Sequence, residues 1–279
     1  MSDLYEQRMP RCEAEAERLD EQYSLHGANL GYDLHPSVEH RLPADARIAD
    51  IATGTGIFLR RIAPSLPDTV LHGYDISATL YPPKSALAPN IDLRVLDAKQ
   101  PIPLHLQGQY DVVHVRNISM GLMPDEWPAL VANLVTLLKP GGVLQWVECD
   151  ALHVQHLGAS QGSTTAALET MYGMNRALVK SRFEGGWTTL PGILERLRLV
   201  DVEHHTVGTD RVAWTRSKLT ANSMTFAFLS ARAGKAGDGS ALSGKEIDRL
   251  EEQVRMDIES GGYLRYDIHC FLAVKPHLN

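Results

Sequence analysis

Ile48-Ala49-Asp50-Ile51-Ala52-Thr53-Gly54-Thr55-Gly56-Ile57 decides how this 279-residue chain folds. An apolar run carrying an acid breaks into a glycine-rich turn, and a helical segment, Phe58–Ala63, follows it. Glycine adopts positive φ and lets a ligand approach the backbone, while the start of the helix offers unpaired N–H groups and the positive end of its dipole. Strand, tight turn and helix in that order open a βαβ unit, whose ligand sits outside the carboxyl end of the strand. An ordinary strand-to-helix turn can carry the same glycines, so the neighbouring strands have to decide.

The next apolar run ends in Gly73-Tyr74-Asp75, where a carboxylate can accept both hydroxyls of an adenosine ribose. A third ends in Leu96-Asp97-Ala98, where a carboxylate could accept the adenine amino group, and a fourth, Tyr110–Asn117, ends at the same crevice. A dinucleotide fingerprint wants Gly or Ala three residues after its second glycine, and position 59 is Leu. The spacing therefore favours a single adenosine-bearing ligand over NAD.

Short apolar runs alternate with helical or loop segments from Ala49 to Glu148, the pattern of a parallel sheet with crossover helices. The expected strands are Arg47–Ile51, Thr69–Asp75, Ile91–Leu96, Tyr110–Arg116 and Val143–Glu148. A helix is expected from Glu126 to Leu138, with Asp125 as N-cap, Pro128 in its first turn and Lys139-Pro140-Gly141-Gly142 as its stop. Later helices fall near Ser163–Lys180, Thr215–Ala233 and Ser243–Glu259, the last opened by a Ser243…Glu246 capping box. Two further strands, Leu199–Val207 and Tyr263–Val274, alternate apolar and polar residues and suit a sheet edge. Gly234–Gly244 reads as a flexible linker. At the front, Arg11–Leu30 is a charged helix whose Leu19, Tyr23, His26 and Leu30 form one stripe, fit to cover the domain as a lid.

Net charge is -7 at a pI near 5.9, without a basic run, which disfavours a nucleic-acid partner because such binding draws on clustered Lys and Arg. No stretch reaches the ~20 apolar residues of a membrane span, and Met1–Glu21 is too charged for a signal peptide, so a cytoplasmic protein without a membrane partner is expected. Cys12, Cys149 and Cys270 are few, far apart and without Cys-x-x-Cys spacing, which predicts neither disulfides nor a zinc knuckle. His153-x-x-His156 lacks completing ligands, so no metal is expected.

Asp50–Gly56, Asp75, Asp97 and the block Leu138-Lys139-Pro140-Gly141-Gly142-Val143-Leu144 together resemble the class I S-adenosylmethionine-dependent methyltransferases, with Ala52 replacing the first glycine of their motif. His35-Pro36-Ser37, Tyr110–Asn117 and Leu138–Gly142 look more narrowly like the fungal secondary-metabolism methyltransferases, a group that also holds pathway regulators. The resemblance implies an α/β, Rossmann-like sheet of five parallel strands plus an antiparallel edge pair, flanked by helices and carrying a helical cap. It divides the chain into a lid (1–40), a cofactor-binding core (41–150) and an acceptor side (151–279). S-adenosylmethionine would meet Tyr23 of the lid, Asp50, Ala52, Gly54 and Gly56 of the turn, Asp75 and Ile76, Asp97 and Ala98, and Arg116. The methyl acceptor would be a small molecule attacking through O, N or S, and a homodimer is allowed.

A catalytic histidine follows the fourth strand in plant-type small-molecule O-methyltransferases, but here that stretch is Ser119-Met120-Gly121-Leu122. Past the fifth strand the chain offers Glu148, Asp150, His153 and His156, and an imidazole near its ordinary pKa of ~6.5 suits proton abstraction. His153 is the expected base, oriented by Asp150; an acidic phenol or thiol acceptor would need neither. The competing function is a cofactor-binding regulator or scaffold without its own acceptor.

Overall fold

The strands organised by the Asp50 stretch lie side by side in the computed structural model, which describes residues 5–6, 9–232 and 242–277. Strand β1 (Arg47–Ile51) is followed by β2 (Val70–Asp75) and β3 (Ile91–Val95) on one side, then by β4 (Tyr110–Arg116) and β5 (Leu138–Cys149) on the other, all parallel. After β6 (Gln155–Gly158) come β7 (Val200–Gly208), β8 (Gly262–Arg265) and β9 (Asp267–Val274). The main sheet has the order β3-β2-β1-β4-β5-β9-β7, with β9 antiparallel to both neighbours. The order in which strands are added reverses between β1 and β4, and that switch point is where an open α/β sheet leaves a crevice. The α/β, Rossmann-like expectation holds.

The helices are α1 (Glu13–Leu30), α2 (Pro36–Glu39), α3 (Ile57–Ile62), α4 (Trp127–Leu137), α5 (Ala166–Phe183), α6 (Leu190–Arg196), α7 (Arg216–Arg232) and α8 (Gly244–Glu259). On one face of the sheet Trp127, Leu130 and Leu134 of α4 bury against Tyr110, Trp146 and Phe271. On the other, Phe58 of α3 and Tyr23 and Leu30 of α1 bury against Ile48, Val112 and Ile268. A third core is independent of the sheet: Leu168 and Met171 of α5, Met224 and Phe228 of α7, Ile247, Leu250 and Val254 of α8, and Leu264 of β8. Each large apolar side chain so buried contributes roughly 1.5–3 kcal/mol.

Local details depart from the sequence reading in instructive ways. Asp125 does not cap α4; a 3₁₀ turn, Pro124–Glu126, precedes the helix, and Glu126 Oε2 accepts from Met123 N at 2.7 Å. The Gly141-Gly142 stop lies inside β5 as an irregularity opposite Tyr110–Val112, where a side chain at 142 would fall 2.9 Å from the Tyr110 carbonyl. The single strand expected over Tyr263–Val274 breaks in two, and β8 pairs with β6 in a separate two-stranded ladder. Strand β9 is interior rather than an edge, and β7 is the edge; His269 sits buried in β9 although its polarity suggested exposure. The capping box of α8 is present, with Ser243 N donating to Glu246 Oε2 at 2.7 Å. The linker expected over Gly234–Gly244 lies, up to residue 241, outside the described residues. No helix among the described residues is long and apolar enough to cross a membrane.

Candidate cofactor and acceptor site

A cavity of about 350 Å³ opens over the carboxyl ends of β1 to β5, roofed by α1 on one side and by α5 and α7 on the other. Its floor is the turn after β1. Ala52, Gly54 and Gly56 all have positive φ (56°, 57° and 71°), a region unfavourable for Ala by roughly 1–2 kcal/mol, so surrounding bonds must hold the turn. Thr53 N donates to Tyr74 O at 3.0 Å, and Thr53 Oγ1 donates to Asp50 Oδ2 at 2.5 Å. Asp50 Oδ1 meets His114 Nδ1 at 2.7 Å, and the His114 ring stacks on Phe58. Asp50 thus braces the turn from beneath.

Asp75 ends β2 beside that turn. Its carboxylate accepts from Gly54 N at 3.0 Å and Ser77 N at 3.2 Å, and Arg11 Nη1 approaches at 3.4 Å. Gly73 makes the approach of β2 feasible, since a Cβ there would fall 2.4 Å from Leu93 and 2.8 Å from Thr53 Oγ1. Asp97 accepts from Lys99 N at 3.0 Å just past β3. The two acids border the cavity together with Ile76 and Ala98.

At the end of β4 the Arg116 guanidinium lies 4.1 Å from the centre of the Tyr23 ring. Arg116 Nη2 makes one long hydrogen bond, 3.4 Å to Tyr23 O, and its buried Nε has no protein partner. Tyr23 Oη donates to Asp33 at 2.8 Å, and α1 is further tied down by Asp20, which accepts from Thr55 Oγ1 and pairs with Arg60. His26, three residues on, is fully buried with Nε2 at 3.0 Å from Tyr266 Oη. Burial, with Arg116 and Arg18 adding repulsion, pushes its pKa well below the ordinary histidine value, so the ring is neutral.

Glu148 near the end of β5 is fully buried at the cavity rim. Burial raises its pKa to about 7, against hydrogen bonds from Trp146, Ser119 and Ile118 that pull it down. The far half of the cavity is apolar, walled by Met120, Val179, Phe183, Met224, Ala227 and Leu264. The cations nearest it are paired: Lys99 with Glu126 at 3.1 Å and Arg18 with Glu15 at 2.7 Å.

Of the residues named from sequence, Tyr23, Asp50, Ala52, Gly54, Asp75, Ile76, Asp97, Ala98 and Arg116 border this one cavity. Gly56 does not; it is the N-cap of α3, packed against Leu93. His153 and Asp150 are also away from it. Asp150 Oδ1 accepts from Leu152 N and His153 N and turns the chain outward, leaving the His153 side chain 79% exposed, with Nδ1 at 2.7 Å from Asp150 Oδ2. The expectation that His153 stands in the crevice is therefore corrected. Sequence reasoning missed Arg11, Asn117, Ser223 and Tyr266, which border the cavity from the N-terminal segment, the end of β4, α7 and the β8–β9 junction. No local spacing marks them.

An acid-braced glycine turn, two further acids at consecutive strand ends and a cavity at the switch point form a crevice of the kind in which open α/β sheets bind ligands. Residues 49–144 match the methyltransferase domain family. The chain is similar to a Penicillium methyltransferase, grgD (39% identical over 113 residues, 37% of this chain and 39% of that one). It is similar to the Claviceps purpurea N-methyltransferase tcpN (32% over 147 residues, 52% of each) and to the Aspergillus fumigatus N-methyltransferase gliN (23% over 265 residues, 91% of each). The matches thus span 39% and 52% of the first two relatives' own length. Among solved structures, a chain of the complex between the Haloferax volcanii Trm112 methyltransferase activator and a methyltransferase shares the fold (TM-score 0.55, 12% identity, 99% of this chain and 100% of that one).

The cofactor of such a domain is S-adenosylmethionine, and the residues fit it. Asp75 and Asp97 offer carboxylates to an adenosine, a side chain at Gly54 would meet Leu19 of α1 at 3.9 Å, and the buried, unpartnered Nε of Arg116 marks a cation available to the amino-acid end.

Proposed function

We propose that this protein transfers a methyl group from S-adenosylmethionine to a nitrogen, oxygen or sulfur atom of an apolar small molecule of secondary metabolism, acting in the cytoplasm. The observation that carries the reading is the two-sided cavity: acids and a glycine turn at one end, an apolar chamber under α5 and α7 at the other. Nitrogen is the first atom to test, because the Claviceps and Aspergillus relatives are named N-methyltransferases.

The bound cofactor supplies an electrophilic methyl on a positively charged sulfur. Asp75, Asp97 and Arg116 hold it, residues 1–40 close over it as a lid, residues 41–150 form its floor, and residues 151–279 shape the acceptor chamber. Apolar walls exclude water and hold the acceptor for in-line attack, so positioning supplies most of the rate. Glu148 is engaged by three neutral donors, and burial keeps the His26 ring, which borders the cavity, well below ordinary histidine basicity. An acceptor without a strongly held proton fits these surroundings.

The test is acceptor-dependent formation of S-adenosylhomocysteine from a panel of neutral apolar amides, amines, phenols and thiols, with mass spectrometry of the product. A gain of one methyl on a panel member supports the reading. Methylation of RNA or protein tails in preference to every panel member contradicts it.

A further inference from the structure

Glu148 is a carboxylate without a cation. Its Oε1 accepts from Ile118 N (3.0 Å) and Trp146 Nε1 (3.0 Å), and its Oε2 from Ser119 Oγ (2.8 Å). All three donors are neutral, and among the described residues no Lys, Arg or His lies within ion-pair distance of it. Elsewhere in the buried interior Glu15 has Arg18, Asp50 has His114 and Asp75 has Arg11, while Asp257, also without a cation, accepts from Ala167 N and Leu168 N at the start of α5. An ionised group out of water is costly unless a countercharge answers it.

The groups facing Glu148 from its surroundings do not supply one. His269, opposite it in register on β9, is held neutral by burial and meets His204 at 2.9 Å. Cys149 on its own strand stays a thiol, because burial raises its pKa, and Asp150 is itself an acid. His26 on α1 is neutral, Tyr172 on α5 is a phenol donating to Ala151 O, and Arg116 on β4 is turned onto Tyr23. What remains next to the carboxylate is the cavity, which it borders together with Asn117, Ile118 and Cys149, between the acid-lined end and the apolar chamber.

We propose that Glu148 is the countercharge for the cofactor's sulfonium: ionised while S-adenosylmethionine is bound, protonated when the cavity is empty or holds the uncharged thioether product. The inference rests on the reading of the cavity as an S-adenosylmethionine site. It gives the protein a means of telling its two cofactor forms apart, since they differ in one methyl and one charge. The ionised carboxylate favours the sulfonium, and a proton taken from solvent accompanies its replacement by the thioether. Burial that sets the Glu148 pKa near 7 makes this exchange responsive at neutral pH.

Calorimetric titration near pH 7, in buffers of low and high ionisation enthalpy, counts the protons directly. S-adenosylmethionine and S-adenosylhomocysteine carry the same amino and carboxyl groups and differ at the sulfur, in its methyl and its charge, and Glu148→Gln isolates the carboxylate's share of the difference. Wild-type protein should release on the order of half a proton more on binding S-adenosylmethionine than on binding S-adenosylhomocysteine. In Glu148→Gln the difference should vanish, and the preference for the sulfonium form should fall roughly tenfold. Equal proton counts for the two ligands in the wild type overturn the proposal without any variant, as does an unchanged preference in Glu148→Gln. Failure of both ligands to bind the wild type overturns the cofactor reading itself.

Discussion

The two ends of the cavity are built on different principles. At the crevice end each group is placed by backbone geometry: three positive-φ residues in the turn after β1, and carboxylates carried by strand ends and fixed by Gly54 N, Ser77 N and Lys99 N. At the acceptor end, α5, α7, α8 and β8 pack through side chains around a core of their own, and the chamber is what their packing leaves open. The difference teaches where change is tolerated. A hydrogen-bonded turn fails when one partner is lost, whereas an apolar wall can be recontoured by exchanging side chains of similar volume. Cofactor recognition and acceptor recognition should therefore be separable by mutation.

Asp75→Ala should do the most. It removes a carboxylate offering two charge-assisted hydrogen bonds to a ribose, each roughly 1.5–3 kcal/mol, so cofactor affinity should fall about 10²-fold or more by calorimetry. Near-wild-type affinity would mean that the acid does not face the ligand. Phe228→Ala breaks the other end: its side chain is buried in the cap core, and its loss should cost about 3–5 kcal/mol of stability in chemical denaturation. If the two ends are independent, the folded variant keeps its cofactor affinity within about twofold; a parallel loss would join them into one unit.

Glu148→Gln sharpens the comparison through pH. Burial raises the Glu148 pKa from 4.5 to about 7, so the fold favours the protonated acid. That contribution is fully present below 4.5 and is lost as pH rises through 7, amounting to roughly 3 kcal/mol between those limits. Glutamine can keep the bonds from Ile118 N and Trp146 Nε1 without ionising, so denaturation of the variant should lack this slope. An identical slope in both proteins would assign the titration elsewhere. His153→Ala should do least, with binding and turnover within about twofold of wild type, because its side chain stands in solvent; a large loss of turnover at intact cofactor affinity would return it to the site.

The same contrast explains how much was legible in the sequence. The five parallel strands and the acids Asp50, Asp75 and Asp97 follow from short-range pattern: apolar runs of strand length, mostly bounded by Gly, Pro or Asp. The cap helices were visible as helices, but which faces meet is a long-range fact, and so Ser223 and Tyr266 could not be placed at the cavity. β9 was misjudged because His269 counted as polar, while in the sheet it is buried and uncharged. His153 was misplaced by one turn: Asp150 bonds the backbone two and three residues on, a local device that swings the side chain outward. Glu148 was weighed as a base because its position past the crevice strand is right, but its engagement by three neutral donors is invisible in a linear sequence.

A crystal structure of the protein with S-adenosylhomocysteine tests the central claim most directly. The account predicts one ligand per chain over the carboxyl ends of β1 to β4, its ribose on Asp75, its adenine toward Asp97 and its amino-acid end toward Arg116, with the apolar chamber under α5 and α7 left for an acceptor. Ligand density outside this crevice, or a ribose without contact to Asp75, would contradict it.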